Sequence, residues 1–142
     1  MNTKSLLAAG IALGFACNIV AAQAVSERNG ILSDTRGHTL YTFDKDSTGR
    51  SACYGGCAAA WPPFVADDGA QASGRFGIVA RDDGSRQWAV DGKPLYYFAA
   101  DTQAGDVKGD GQGGVWHVVR QGPARKAASP QGYGGYSYGY GY

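Results

Sequence analysis

Residues 37–64 read GHTLYTFDKDSTGRSACYGGCAAAWPPF, and residues 92–119 read GKPLYYFAADTQAGDVKGDGQGGVWHVV. Laid over each other without a gap, they share an offset of 55 residues. Gly37, Leu40, Tyr41, Phe43, Asp46, Trp61 and Phe64 recur as Gly92, Leu95, Tyr96, Phe98, Asp101, Trp116 and Val119. A repeat of this kind describes an architecture, two similar units that bury their apolar faces on each other.

The units read as antiparallel β structure. In Thr39–Phe43 (TLYTF), Thr39, Tyr41 and Phe43 fall on one face and Leu40 and Thr42 on the other. Asp91-Gly92 lies between two alternating runs, RQWAV and PLYYF, and is the clearest hairpin signal in the chain. Asn29-Gly30 and Asp83-Gly84 mark further turns, and Phe76–Val79 a further strand. The stretch CAAAW after the second cysteine holds at most one helical turn. Each unit is expected to run as hairpin, loop of roughly 15 residues, and tryptophan strand, and loops of that length are functional or pinned by something. The fold expected is all-β: two homologous hairpin repeats, about 29–64 and 83–119, packed with pseudo-two-fold symmetry as one small sandwich or barrel-like domain within 25–120.

The flanks read differently. Lys4 precedes an uncharged apolar run, Ser5–Val20, and then Ala22-Gln23-Ala24, the pattern of a secretory signal peptide (1–24) cut near Ala24. Cys17 lies in that run, but Gly14 stands where a lipid-attachment signal needs a leucine-like residue, which argues against lipid anchoring. No transmembrane span is expected in the mature chain. Residues 121–142, ending GYGGYSYGYGY, offer no buried face and read as a disordered Gly/Tyr tail suited to weak self-association. Basic and acidic residues nearly balance, with no basic stripe, which excludes nucleic acid as an expected partner.

With Cys17 removed, Cys53 and Cys57 remain, and in an oxidising compartment such a pair is expected to form a disulfide. The rival reading makes them thiolate ligands for zinc or copper, or a redox centre, with His38 or His117. Asp44-Lys45-Asp46-Ser47-Thr48-Gly49 has the opening of a calcium loop, but Gly55 occupies the place of its bidentate glutamate, so an Asp/Gly turn is expected. The aromatic pairs Tyr41/Phe43 and Tyr96/Phe98 suit core packing, with Asp46 and Asp101 accepting from the tyrosines as a latch on the loops. A ligand groove at these residues is the sharper alternative. No catalytic set stands out, so no enzyme activity and no cofactor are expected.

The motif Tyr-x-aromatic-x-x-Asp stands twice, as YTFDKD and YYFAAD, beside CYGGCAAAWPP and DDGSRQWAVDGKPLY. In these the chain resembles the secreted repeat of unknown function, a bacterial lipoprotein family. The resemblance implies a tandem-repeat envelope domain, built on Tyr41, Phe43, Asp46, Trp61, Tyr96, Phe98, Asp101 and Trp116. It implies no particular activity. The function expected is therefore a non-catalytic binding or structural module of the envelope, its partner an envelope component or a small ligand.

Overall fold

The computed structural model describes residues 24–120. The expected tail, and all but the last residue of the expected signal peptide, lie outside them. The chain runs β1 (Val25–Arg28), β2 (Ile31–Asp34), β3 (Tyr41–Phe43), a one-turn helix α1 (Gly56–Ala60), β4 (Phe76–Ala80), β5 (Arg86–Val90), β6 (Lys93–Pro94), a single 3₁₀ turn (Gln112–Gly114) and β7 (Trp116–Val118). All strand pairs are antiparallel: β1 with β2, β3 with β7, and β4–β5–β6 in order. Asn29-Gly30 and Asp91-Gly92 form the two-residue hairpin turns, both residues of each in the left-handed region that a tight type I′ turn requires, and Arg81–Ser85 forms the longer turn between β4 and β5.

The all-β, two-repeat reading holds, but not as a barrel. Among the described residues the sheets have two, two and three strands and do not close. Strands of two to five residues are too short for the stagger of a barrel. Pro62 and Pro63, without N–H donors, interrupt what would otherwise be a longer ladder. β1 was not anticipated, because VSER adjoins the expected cleavage site and carries no apolar alternation.

The repeats cross. The Tyr41 strand of the first unit pairs with the Trp116 strand of the second, Tyr41 opposite Val118 and Phe43 opposite Trp116. The Tyr96 segment pairs in the same way with the Trp61 segment: Phe64 N donates to Leu95 O at 2.9 Å and Tyr97 N to Pro62 O at 2.8 Å. Between the two pairings, Tyr41 and Tyr96 exchange both backbone hydrogen bonds at 2.9 Å. That pair marks a pseudo-two-fold axis. Val119 N to Leu40 O mirrors Phe64 N to Leu95 O, and Asp44 N to Val115 O mirrors Ala99 N to Ala60 O.

Alternation along the two central strands divides the core. Leu40 and Leu95 point into one cluster with Leu32, Phe64, Trp88 and Val90. Tyr41 and Tyr96 point into the other, with Cys53, Trp61, Trp116 and Val118. All four central side chains are completely buried.

Candidate functional site

The second cluster gathers the aromatic residues of the Tyr-x-aromatic motif and both repeat tryptophans: Tyr41, Phe43, Trp61, Tyr96, Phe98 and Trp116. Phe43, Trp116, Trp61 and Phe98 stack face to face as one column, with centroid separations of 4.1, 3.9 and 4.2 Å in that order. The two indoles at its centre are nearly parallel, at 4°. Tyr41 meets Trp61 edge-on at 5.4 Å, and Tyr96 meets Trp116 edge-on at 5.2 Å. Such contacts add about 0.5–1.5 kcal/mol each beyond area burial.

The tyrosine hydroxyls leave the column toward the opposite repeat. Tyr41 Oη donates to Asp101 Oδ2 at 2.5 Å, and Tyr96 Oη donates to Asp46 Oδ2 at 2.7 Å. The latch anticipated between these residue types is therefore reciprocal, each unit holding the loop of the other. Each carboxylate also accepts a loop N–H, Asp46 from Ala52 at 2.7 Å and Asp101 from Lys108 at 2.9 Å. Burial foremost, and the facing carboxylate after it, raises both phenols above their ordinary range. They stay protonated donors at any physiological pH. Burial also raises Asp46, against the lowering effect of its hydrogen bonds and of Arg81.

The first loop is tied to an arginine that sequence reading missed. Arg81 is 5% exposed. Its Nη1 donates to Gln87 Oε1 at 2.7 Å and to Ser51 Oγ at 3.0 Å, and its Nη2 donates to Cys53 O at 2.7 Å. Ser51 Oγ in turn meets Tyr96 Oη at 2.7 Å. The Tyr54 ring covers the guanidinium at 4.4 Å. Asp83 Oδ2 lies 3.9 Å from Nε, which has no hydrogen-bond partner among the described residues. Nothing in RDDG marked Arg81 as buried, since a charge beside an Asp-Gly turn usually faces water.

Cys53 and Cys57 stand at disulfide distance, with Cα atoms 5.3 Å apart. The histidines offered as their co-ligands are engaged elsewhere. His117 Nε2 lies 2.7 Å from Asp44 Oδ2, and His38 Nδ1 lies 3.5 Å from Asp34 Oδ2. Among the described residues, no three His, Cys, Asp or Glu side chains are grouped to hold a metal ion. The two carboxylates of the calcium-like stretch diverge, Asp44 to His117 and Asp46 to Tyr96, as in an ordinary turn.

A second polar cluster lies outside the motif. Asp34, 3% exposed, accepts from Arg36 N and His38 N at 2.9 Å, from Arg36 Nε at 3.2 Å and from Tyr97 Oη at 3.1 Å. Burial alone would raise its pKa, but these donors outweigh it and hold the carboxyl below its ordinary value. Beside it opens a cleft of about 210 Å³, lined by Arg36, His38, Thr39, Tyr97, Phe98, Ala99 and Asp101. The signal for this cluster was the Asx-turn spacing of Asp34-Thr35-Arg36-Gly37, which puts a carboxylate over its own following backbone N–H groups.

A family model described as a secreted repeat of unknown function matches twice, over residues 24–65 and 77–120. The chain belongs to this family. The two matches coincide with the two crossed units and begin upstream of the gap-free 55-residue repeat, so the first takes in β1 and the second all of β4 but Phe76. No curated protein and no solved structure matches the chain. The secreted-repeat domain is thus a pair of interlocked units, and no helix among its described residues is long and apolar enough to cross a membrane.

Proposed function

We propose that this secreted-repeat protein is a non-catalytic binding or structural module of the cell envelope, released by cleavage after Ala24 and not lipid-anchored at Cys17. One observation carries the reading. The motif's polar groups are spent on each other, Tyr41 on Asp101 and Tyr96 on Asp46, inside an aromatic core. A tyrosine raised above its ordinary pKa and bonded to a carboxylate is a poor nucleophile and a poor general acid near neutral pH. The repeated motif therefore reads as a clasp that makes a rigid frame, and it leaves the surface between turns to carry recognition.

The rival reading, a metal or redox centre on Cys53 and Cys57 with His38 or His117, is separated by one experiment. Intact-mass and metal analysis of the protein purified from the envelope is expected to give a chain beginning at Val25, lighter by two hydrogens, without lipid or stoichiometric metal. Free thiols carrying zinc or copper would replace the proposal with the rival. A thioether-linked lipid would overturn the export route proposed.

A further inference from the structure

The pseudo-symmetry separates residues the frame requires from residues it does not. The cleft walls belong to the second kind. Asp34, Arg36, His38 and Tyr97 stand where the other repeat has Ala89, Asp91, Lys93 and Thr42. The frame can be built with either set, yet in one half a buried carboxylate gathers Arg36, His38 and Tyr97 onto one wall.

We infer that this cleft is a binding site for a single neutral saccharide ring, which deepens and rests on the reading of the domain as a non-catalytic binding module. Three observations select that class. First, polar groups of opposite kind face the cavity. Arg36, its side chain 74% exposed, is a donor that cannot accept. The Asp101 carboxylate already accepts from Tyr41 Oη and Lys108 N, one on each oxygen, and offers the cleft its remaining lone pairs as an acceptor. His38 directs Nδ1 toward Asp34, leaving Nε2 as its unengaged nitrogen among the described residues. A small anion would meet the Asp101 carboxylate and a small cation the Arg36 guanidinium. A hydroxylated ring, whose hydroxyls both donate and accept, suits both.

Second, the cleft carries aromatic surface as well as polar groups. Tyr97 and Phe98 line it, Tyr97 is braced by its hydroxyl on Asp34 and edge-on to His38 at 6.3 Å, and Phe98 terminates the stacked column on Trp61. Rigid rings that lose little entropy on contact offer a platform for the C–H face of a sugar. Third, a volume of about 210 Å³ falls below the ~300–1,000 Å³ of sites for drug-sized ligands, which limits the occupant to one small ring.

The test is a ¹H–¹⁵N titration of the mature protein with D-glucose, D-galactose, D-mannose and N-acetyl-D-glucosamine, with benzoate and tetramethylammonium as charged probes. At least one sugar is expected to give saturable shifts at Arg36–Thr39, Tyr97–Ala99 and Asp101. Arg36→Ala removes the Nε donor to Asp34 but keeps those from Arg36 N, His38 N and Tyr97 Oη; it is expected to weaken that binding at least tenfold, and Lys45→Ala on the other half to leave it unchanged. No saturable shift with any sugar would overturn the inference. So would a charged probe binding more tightly than every sugar, or sugar binding indifferent to Arg36→Ala. The sugar's own proton spectrum, followed over a day, tests the underlying reading separately. Binding with chemical conversion would keep the site and refute the non-catalytic role.

Discussion

The two long loops do the same work by different means. Loop 44–60 and loop 99–115 each place an aspartate under the tyrosine of the opposite repeat. The first is held covalently at Cys53–Cys57 and by the buried Arg81, which donates to Ser51 and to the Cys53 carbonyl. The second has neither. It is held by backbone donors to Asp101, Asp106 and the Tyr41 hydroxyl, and by close packing of Gly109 on the rings. A Cβ on Gly109 would come within 2.7 Å of Trp61 Cη2 and 3.0 Å of Phe98 Cγ, so the absence of a side chain lets the loop close over the column. The frame is symmetric in what it needs and indifferent to how each loop supplies it.

The largest effect tests whether the column is shared. Trp61→Ala and Trp116→Ala are each expected to cost about 3–5 kcal/mol in urea unfolding, as for other buried indoles. The native circular dichroism should carry an exciton couplet from the stacked pair, lost in Trp61→Phe or Trp116→Phe and kept in Trp88→Phe. Unequal losses by more than about 2 kcal/mol would mean that one unit carries the core alone.

The next effects separate the loops. Reducing Cys53–Cys57 removes about 2 kcal/mol by the chain-entropy estimate for so short a ring. Gly109→Ala should cost a similar amount, within the ~1–3 kcal/mol of an overpacked core site. Hydrogen exchange is expected to assign them differently, reduction speeding exchange in 44–60 and Gly109→Ala in 101–115. Loss of protection in both loops from either change would show that they are not independently fastened.

The smallest effect is on pH. Asp34 is lowered in the folded state, so its contribution is complete above the ordinary carboxylate pKa of about 3.9 and is lost as pH falls through its folded value. Asp46 is raised, so its contribution has the opposite sign and fades as pH rises from the ordinary value to the folded one. Asp34→Asn should therefore flatten the loss of stability below about pH 4. Asp46→Asn should leave that acid limb in place. If Asp34→Asn left the limb unchanged, the donors around Asp34 would not be what holds its proton off.

Much of the frame was legible in the chain. The Asp91-Gly92 turn, the single helical turn around Cys57, the strand at Phe76 and the burial of Tyr41 and Tyr96, with Phe43 and Phe98 partly buried beside them, follow from local chemistry that the fold preserves. The crossing was not legible. Where two units share a motif, a Tyr strand fits the Trp strand of its own unit or of the other equally well by pattern, and loops of this length reach either. Arg81 and Asp34 were hidden for another reason. Both are charged residues at turns, where solvation is the usual fate, and only the groups brought to them from afar (Ser51 and Cys53 to one, Tyr97 to the other) make burial tolerable.

The crossing itself is tested most directly by double-mutant cycles in Tyr→Phe and Asp→Asn. Removing one hydroxyl bonded to a carboxylate is expected to cost about 1.5–3 kcal/mol. The cycles Tyr41/Asp101 and Tyr96/Asp46 should show coupling of about 1 kcal/mol or more, while Tyr41/Asp46 and Tyr96/Asp101 add within about 0.5 kcal/mol. Coupling confined to Tyr41/Asp46 and Tyr96/Asp101 would contradict the interlocked arrangement and restore two self-contained repeats.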